Sequence, residues 1–193
     1  CNAMEQGMQP ISLTGVAQVH KAHLLAALCS THAPLLAVTA EEAEARRLCD
    51  DINTMLDQTA AWQFPSRELV LTPVEGVTVS YEHARIAALT AMRQGQCRVI
   101  IASIEALLQP TIAPEALEEH TLVLHCGEQI ERDALIQKLI FGGYVRSESV
   151  SGAGQFSVRG DILDIFPVQC TAPIRLELWG DEIDTLTQFD PET

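Results

Sequence analysis

A loop that holds a nucleoside triphosphate reads G-x-x-x-x-G-K-[ST]. Its backbone amides cradle phosphate oxygens, its lysine meets the β and γ phosphates, and its hydroxyl ligates magnesium. The run Gly15-Val-Ala-Gln-Val-His20-Lys21-Ala22 keeps the first glycine and the lysine in register. Histidine stands where the second glycine belongs, and its side chain blocks the close approach of backbone to phosphate. Ala22 replaces the hydroxyl residue and cannot ligate a metal. Gly15, His20, Lys21 and Ala22 are therefore expected to form a vestigial nucleotide loop, kept as a strand–loop–helix for packing.

Other groups that carry chemistry are scattered. His20, His23, His32, His83, His120 and His125 contain no H-E-x-x-H pair. His120 and His125 have opposite strand parity and would point to opposite faces. Cys1, Cys29, Cys49, Cys97, Cys126 and Cys170 show no C-x-x-C spacing, so reduced core cysteines of a cytosolic protein are expected rather than a zinc site or a disulfide framework. Asp161 and Asp164, and Asp181, Glu182 and Asp184, flank turns and alternate with apolar residues, which turn chemistry and a solvated face explain better than acid–base work. No nucleophile–histidine–carboxylate set stands out. The expectation is no catalytic residue, no metal and no cofactor.

The last third of the chain is the most patterned. In Gln155-Phe-Ser-Val-Arg159, Phe156 and Val158 take one face while Gln155, Ser157 and Arg159 take the other. In Ile174-Arg-Leu-Glu-Leu-Trp179, Ile174, Leu176 and Leu178 oppose Arg175, Glu177 and Trp179. Two arginines and a tryptophan thus fall on faces that alternation makes wet. Arg and Trp are the residue types that dominate interface energetics. Parity leaves two readings: a surface built to be covered, or ordinary surface residues with Arg175 paired to Glu177.

These residues need elements to hold them. Residues 11–109 alternate strands and helices: a strand at 11–14, a helix over 17–30 with Leu24, Leu25 and Leu28, and a buried strand at Leu35–Val38. A Thr39/Glu42 capping box opens a helix that buries Ala45, Leu48, Cys49, Ile52 and Met55. Ser80 opens another, with Ile86 and Leu89 inward. Arg98–Ala102 is an apolar strand, and Ser103 caps a short helix to Leu108. That pattern predicts a parallel sheet with helices on both faces. Pro110 to Pro114 breaks it. Beyond lie a strand at Thr121–Leu124, a helix at Glu131–Phe141 with Leu135, Leu139 and Ile140, a stop at Gly142-Gly143, and then strands and turns. The expected fold class is α/β for the first part, joined to a small α+β domain with a mostly antiparallel sheet. The expected division is a start and expression scar over residues 1–4, a first domain over 8–117 and a second over 118–193.

Composition sets limits. The 193 residues are 47% hydrophobic and 20% charged, enough for one large or two small cores. No apolar run reaches the length of a transmembrane helix and no signal peptide is evident, so the expectation is a cytoplasmic protein with no membrane partner. Twelve basic residues against 26 acidic ones give a net charge of −14, which argues against DNA binding by phosphate neutralisation and favours a partner with a basic surface. Trp62, Phe64 and Tyr81 are interleaved with no basic residue but Arg67, which makes a nucleic-acid platform an unpromising reading.

The runs Gln155-Phe-Ser-Val-Arg-Gly160, Leu163-Asp-Ile-Phe-Pro167, Ile174-Arg-Leu-Glu-Leu-Trp-Gly-Asp-Glu-Ile-Asp184 and Phe189-Asp-Pro-Glu-Thr193 carry a family resemblance. They resemble a module shared by the excision-repair helicases of the UvrB type and the bacterial transcription-repair coupling factors. It is dense over residues 142–193 and looser from about 11 to 141; position 161 is usually a second glycine, and here is Asp161. The degenerate loop at Gly15–Ala22 is similar to that of the coupling factors, whereas UvrB keeps it intact. The resemblance implies a degenerate P-loop-like first domain (UvrB domain 1a-like) and a second domain that docks the damage-recognition ATPase UvrA. It implies that Arg159, Arg175 and Trp179 carry that contact, with Trp179 where phenylalanine is common. It also implies that RNA polymerase and DNA are engaged only by parts of a longer chain, whose translocase hydrolyses ATP. Two alternatives are a fragment of a UvrB-type ATP-dependent helicase, which predicts nucleotide at Lys21, and a structural domain with no partner.

Overall fold

Val99, Ile100, Ile101, Ala102 and Ser103 are all buried, and the first sheet is built around them. The structure is a computed structural model that describes residues 10–67 and 77–191, the side chains of 77–80 falling outside that description. Cys1–Met4 and the middle of the Trp62–Tyr81 stretch lie outside the described residues. The chain divides into two compact units, Cys1–Pro110 and Thr111–Thr193.

The first unit runs α1 (Gln18–Cys29), β1 (Leu35–Thr39), α2 (Glu42–Leu56), β2 (Ala61–Phe64), α3 (Val77–Arg93), β3 (Val99–Ser103) and α4 (Ile104–Leu108). Its sheet has the order β1-β3-β2, all parallel. Odd residues of β3, Val99 and Ile101, join Ala61, Leu35 and Ala37 beneath Ala22 and Cys29 of α1 and Ala45, Leu48 and Ile52 of α2. Even residues Ile100 and Ala102 join Trp62 and Phe64 beneath Ala88, Leu89 and Ala91 of α3 and Ala106 of α4. Helices therefore cover both faces, as the continuous apolar run at Val99 requires.

Several local expectations are corrected. Residues 11–14 form no strand. Leu35–Thr39 is an edge strand rather than a buried one: α3 and α4 pack over β2 and β3, leaving Leu36 59% and Val38 51% exposed. The Thr39/Glu42 capping box does not form. The Thr39 hydroxyl donates to the Glu41 carbonyl, and the Glu42 carboxylate accepts from Gln63 and Ser103 at the strand ends. Met55 is exposed and Leu56 packs in its place. Helix α3 already runs at Val77, before Ser80, and buries Ala87, Ala88 and Ala91 ahead of the half-buried Ile86 and Leu89. Ser103 does cap α4, accepting from the Ala106 amide at 3.1 Å.

Phe64 and Tyr81 serve the fold. The buried Arg85 guanidinium lies 3.8 Å from the Phe64 ring centroid and 5.4 Å from that of Tyr81. It donates to the carbonyls of Pro65 and Ala106 at 2.9 and 3.3 Å and to that of Pro110 at 3.3 Å. A buried cation satisfied by carbonyls and aromatic faces ties the end of β2 to the end of the unit.

The second unit contains α5 (Pro114–Glu119), α6 (Arg132–Phe141), β4 (Val145–Arg146), β5 (Gln155–Arg159), β6 (Ile162–Ile165), β7 (Ile174–Trp179) and β8 (Glu182–Gln188). The sheet order is β4-β5-β6-β7-β8, antiparallel except for the β4–β5 pair. Leu135 and Leu139 of α6 pack on Phe156, Leu163, Ile165, Leu176, Leu178 and Ile183. Ile140 is half exposed and Ile136 packs instead. Thr121–Leu124 is not a strand, although Leu122 and Leu124 reach this core.

Candidate functional site

Alternation along β5–β8 sorts the side chains as the period-two pattern requires. Phe156, Leu163, Ile165, Leu176 and Leu178 take the inner face, packed with α6. The outer face carries two transverse ranks: Ser157–Asp164–Arg175–Thr187 and Arg159–Ile162–Glu177–Thr185. Trp179 ends β7 on this face, opposite Glu182. Strands β5 and β7 are both antiparallel to β6, so Arg159 and Trp179 sit at the same end of the sheet.

Each of these two residues is followed by Gly-Asp, at Gly160-Asp161 and Gly180-Asp181. In both tight hairpins the glycine takes the positive φ, +61° at Gly160 and +63° at Gly180. This is the demand of a two-residue turn with its special residue first. Asp161, where the resembling families usually carry glycine, is not in the left-handed region, so the turn forms without that glycine.

Arg159 and Arg175 line one cavity of about 330 Å³, with Asp164, Ser149, Val150 and Phe189 among its walls. The Arg159 guanidinium donates to the Glu148 carbonyl at 3.2 Å and is otherwise exposed. Arg175 is held differently. Its Nε and Nη2 donate to the two oxygens of Asp164 at 2.7 and 2.9 Å, and its guanidinium lies 4.6 Å from the Phe189 ring centroid. The hydrogen bond to Asp164 raises the Arg175 pKa, so the guanidinium is a permanent cation. The sequence reading that paired Arg175 with Glu177 is corrected: the partner is Asp164, 2% exposed, and Glu177 points to solvent. Trp179 is 83% exposed and is not among the residues that line the cavity. The solvated-face reading of Asp164 is likewise corrected by its burial. Asp164 and Phe189 are the members of this site that sequence reasoning missed. The one available signal was Asp164's parity, which places it on the arginine face.

The Gly15–Ala22 segment has a different geometry. Gly15 has φ +75°, but α1 begins at Gln18, so His20 and Lys21 already lie inside the helix. Their amides both donate to the Ala17 carbonyl, at 2.9 and 3.2 Å, and are not turned outward. Lys21 Nζ sits 2.7 Å from Glu44 Oε1, and Ala22 is fully buried under α2. Lysine, amides and Ala22 are all engaged by the fold itself.

Among the described residues no group of three or more His, Cys, Asp or Glu side chains is placed to hold a metal. Cys29, Cys49 and Cys97 are buried and free, whereas Cys126 is exposed and donates to the Asp184 carbonyl, contrary to a uniform core role. Burial pushes the Cys49 and Cys97 thiols up to about 11, Asp50 adding to the effect at Cys49. No helix among the described residues is long and apolar enough to cross a membrane.

Residues 122–193 match the family model described as the UvrB interaction domain. Over nearly its whole length the chain is similar to transcription-repair-coupling factors. It is 26% identical over 192 residues to that of Bacillus subtilis (strain 168), covering 99% of this chain and 16% of the relative. It is 30% identical over 188 residues to that of Staphylococcus epidermidis (strain RP62A), covering 97% and 16%. It is 31% identical over 182 residues to that of Staphylococcus aureus (strain USA300), covering 94% and 16%. The chain thus spans about a sixth of the length of the curated relatives it matches, 16% in each case. What it matches in the family model is an interaction domain, so the fragment is a non-catalytic protein-interaction module. The chain is a homologue of the bacterial transcription-repair-coupling factors, and its residues 122–193 match the UvrB interaction domain.

Proposed function

We propose that this chain docks the damage-recognition ATPase UvrA through the outer face of β5 and β7, and so serves transcription-coupled nucleotide excision repair. Arg159, Arg175 and Trp179 are the contact residues. The observation that carries the reading is their arrangement. Two arginines on different strands line one cavity, and an indole 83% exposed stands at the same sheet end as one of them. A large exposed aromatic on the same sheet face as two arginines is the composition of an interface hot spot. All three stand on strands of one sheet, and Arg175 is held further by Asp164 and Phe189, so little ordering entropy is lost there on docking. RNA polymerase and DNA are engaged by other parts of the longer protein, and the present fragment recruits without hydrolysing nucleotide. Gly15, His20, Lys21 and Ala22 are a vestigial loop in this reading, supported by the Lys21–Glu44 pair and by amides spent on Ala17.

The test is a titration of the fragment against UvrA of the same bacterium, with Arg159→Ala, Arg175→Ala and Trp179→Ala beside the wild type and folding followed by circular dichroism. The expected result is binding by the wild type and loss of about tenfold or more in affinity for each folded variant. A wild type that does not bind, or variants that bind equally well, would sink the proposal.

A further inference from the structure

Arg159 and Arg175 share a cavity but are not held alike. Arg159 has a single hydrogen bond to the Glu148 backbone from an exposed side chain. Arg175 has a carboxylate on one edge, bonded through two nitrogens, and an aromatic ring against its face. The carboxylate is Asp164, its neighbour in the transverse rank, and its side chain is 3% exposed. Ser157, on the other side of Asp164, is buried with a hydroxyl that has no hydrogen-bond partner, so it does not share that carboxylate. The pair with Asp164 uses Nε and Nη2 of Arg175, while Nη1 has no hydrogen bond within the unit among the described residues.

A bidentate carboxylate fixes the plane and rotation of a guanidinium, and a ring against its face fixes the tilt. An arginine so fixed offers its remaining N–H groups in one direction and loses no rotamer freedom when a partner accepts them. We propose that Asp164 and Phe189 are positioning residues for docking, presetting Arg175 so that Nη1 meets an acceptor oxygen of the partner. This rests on the docking reading above. Arg159, by contrast, settles only on contact.

The experiment is a double-mutant cycle on UvrA affinity with the whole fragment: wild type, Asp164→Asn, Arg175→Ala and the double variant, each melted to establish folding. Asp164→Asn is expected to lower affinity by about tenfold in the wild-type background. In the Arg175→Ala background it should change affinity by less than about twofold, because its effect passes through the lost guanidinium. A structural role would instead lower affinity in both backgrounds alike. Phe189→Leu, which keeps apolar bulk but removes the ring, should cost several-fold, and it decides the matter if Asp164→Asn does not fold. If Arg175→Ala loses affinity while Asp164→Asn and Phe189→Leu bind as the wild type does, the positioning role is overturned and docking stands. If Arg175→Ala itself binds as the wild type does, both proposals fall together.

Discussion

Arg175 and Trp179 lie on the same face of β7, yet their substitution should be felt in opposite ways. Trp179 is 83% exposed, so Trp179→Ala should change stability by no more than about 0.5 kcal/mol in urea unfolding. Arg175→Ala strips the buried Asp164 of its counter-charge, and an uncompensated buried carboxylate costs about 3 kcal/mol. A double change to Asp164→Asn with Arg175→Ala should recover most of that loss. Equal destabilisation by Arg175→Ala and Trp179→Ala would contradict the pairing. At this scale the alternation Ile174–Trp179 announced which side chains face outward. It could not announce that Asp164 is buried, because parity gives the face of a strand residue and not what lies over it. Arg175, which pairs with Asp164, and Ser149, Val150 and Phe189, which line the same cavity, come from parts of the chain 11 to 25 residues away in either direction. The same limit explains Glu177, a plausible partner by proximity along the strand that lost to a residue across it.

Hairpins and the central strand carry the element-scale consequences. Gly160 sits at φ +61° with open space where a Cβ would go, so Gly160→Ala meets no clash and pays only backbone strain, about 1 kcal/mol. Urea unfolding of that variant should show this loss, while Gly152→Ala, also in open space but without a positive φ, should stay near wild type. Alkaline titration probes the first sheet. Cys49 of α2 and Cys97 before β3 have thiols raised from the ordinary 9.0 to about 11, so the folded chain keeps protons that the unfolded chain releases. The unfolded state then binds fewer protons through that window, and stability falls as pH rises from about 9 to about 11. Melting temperatures measured across this range should decline, and Cys49→Ala with Cys97→Ala should flatten the decline; an unchanged slope would contradict thiol burial. Strands with a covered run on both sides, such as Val99–Ser103, were legible from sequence. Residues 11–14 and 121–124 have similar apolar character but gain no ladder partner, and pairing is decided by distant chain rather than by the run itself. Edge position was equally hidden at Leu36 and Val38, whose apolarity suits a central strand.

For the whole molecule, two units combine a parallel sheet with helices on both faces and a mostly antiparallel sheet whose outer face carries the arginines. The first unit should not respond to nucleotide. With Lys21 on Glu44 and the His20 and Lys21 amides on Ala17, millimolar Mg-ATP should leave the melting temperature unchanged, and a rise of a few degrees would restore the nucleotide reading. The degenerate motif was readable from His20 and Ala22 alone. The reassignment of Lys21 to an ion pair was not, since Glu44 lies on another helix. In β7, Arg175, Glu177 and Trp179 alternate with Leu176 and Leu178, so the outward set and the core set are the two phases of one reading of the strand. A point substitution can retune the outward phase while leaving the inward one intact. Loss or gain of a single codon within the strand exchanges the phases, sending charge inward and leucine to water. Substitution can thus alter the outward set alone, whereas an insertion or deletion within β7 disturbs both sets at once.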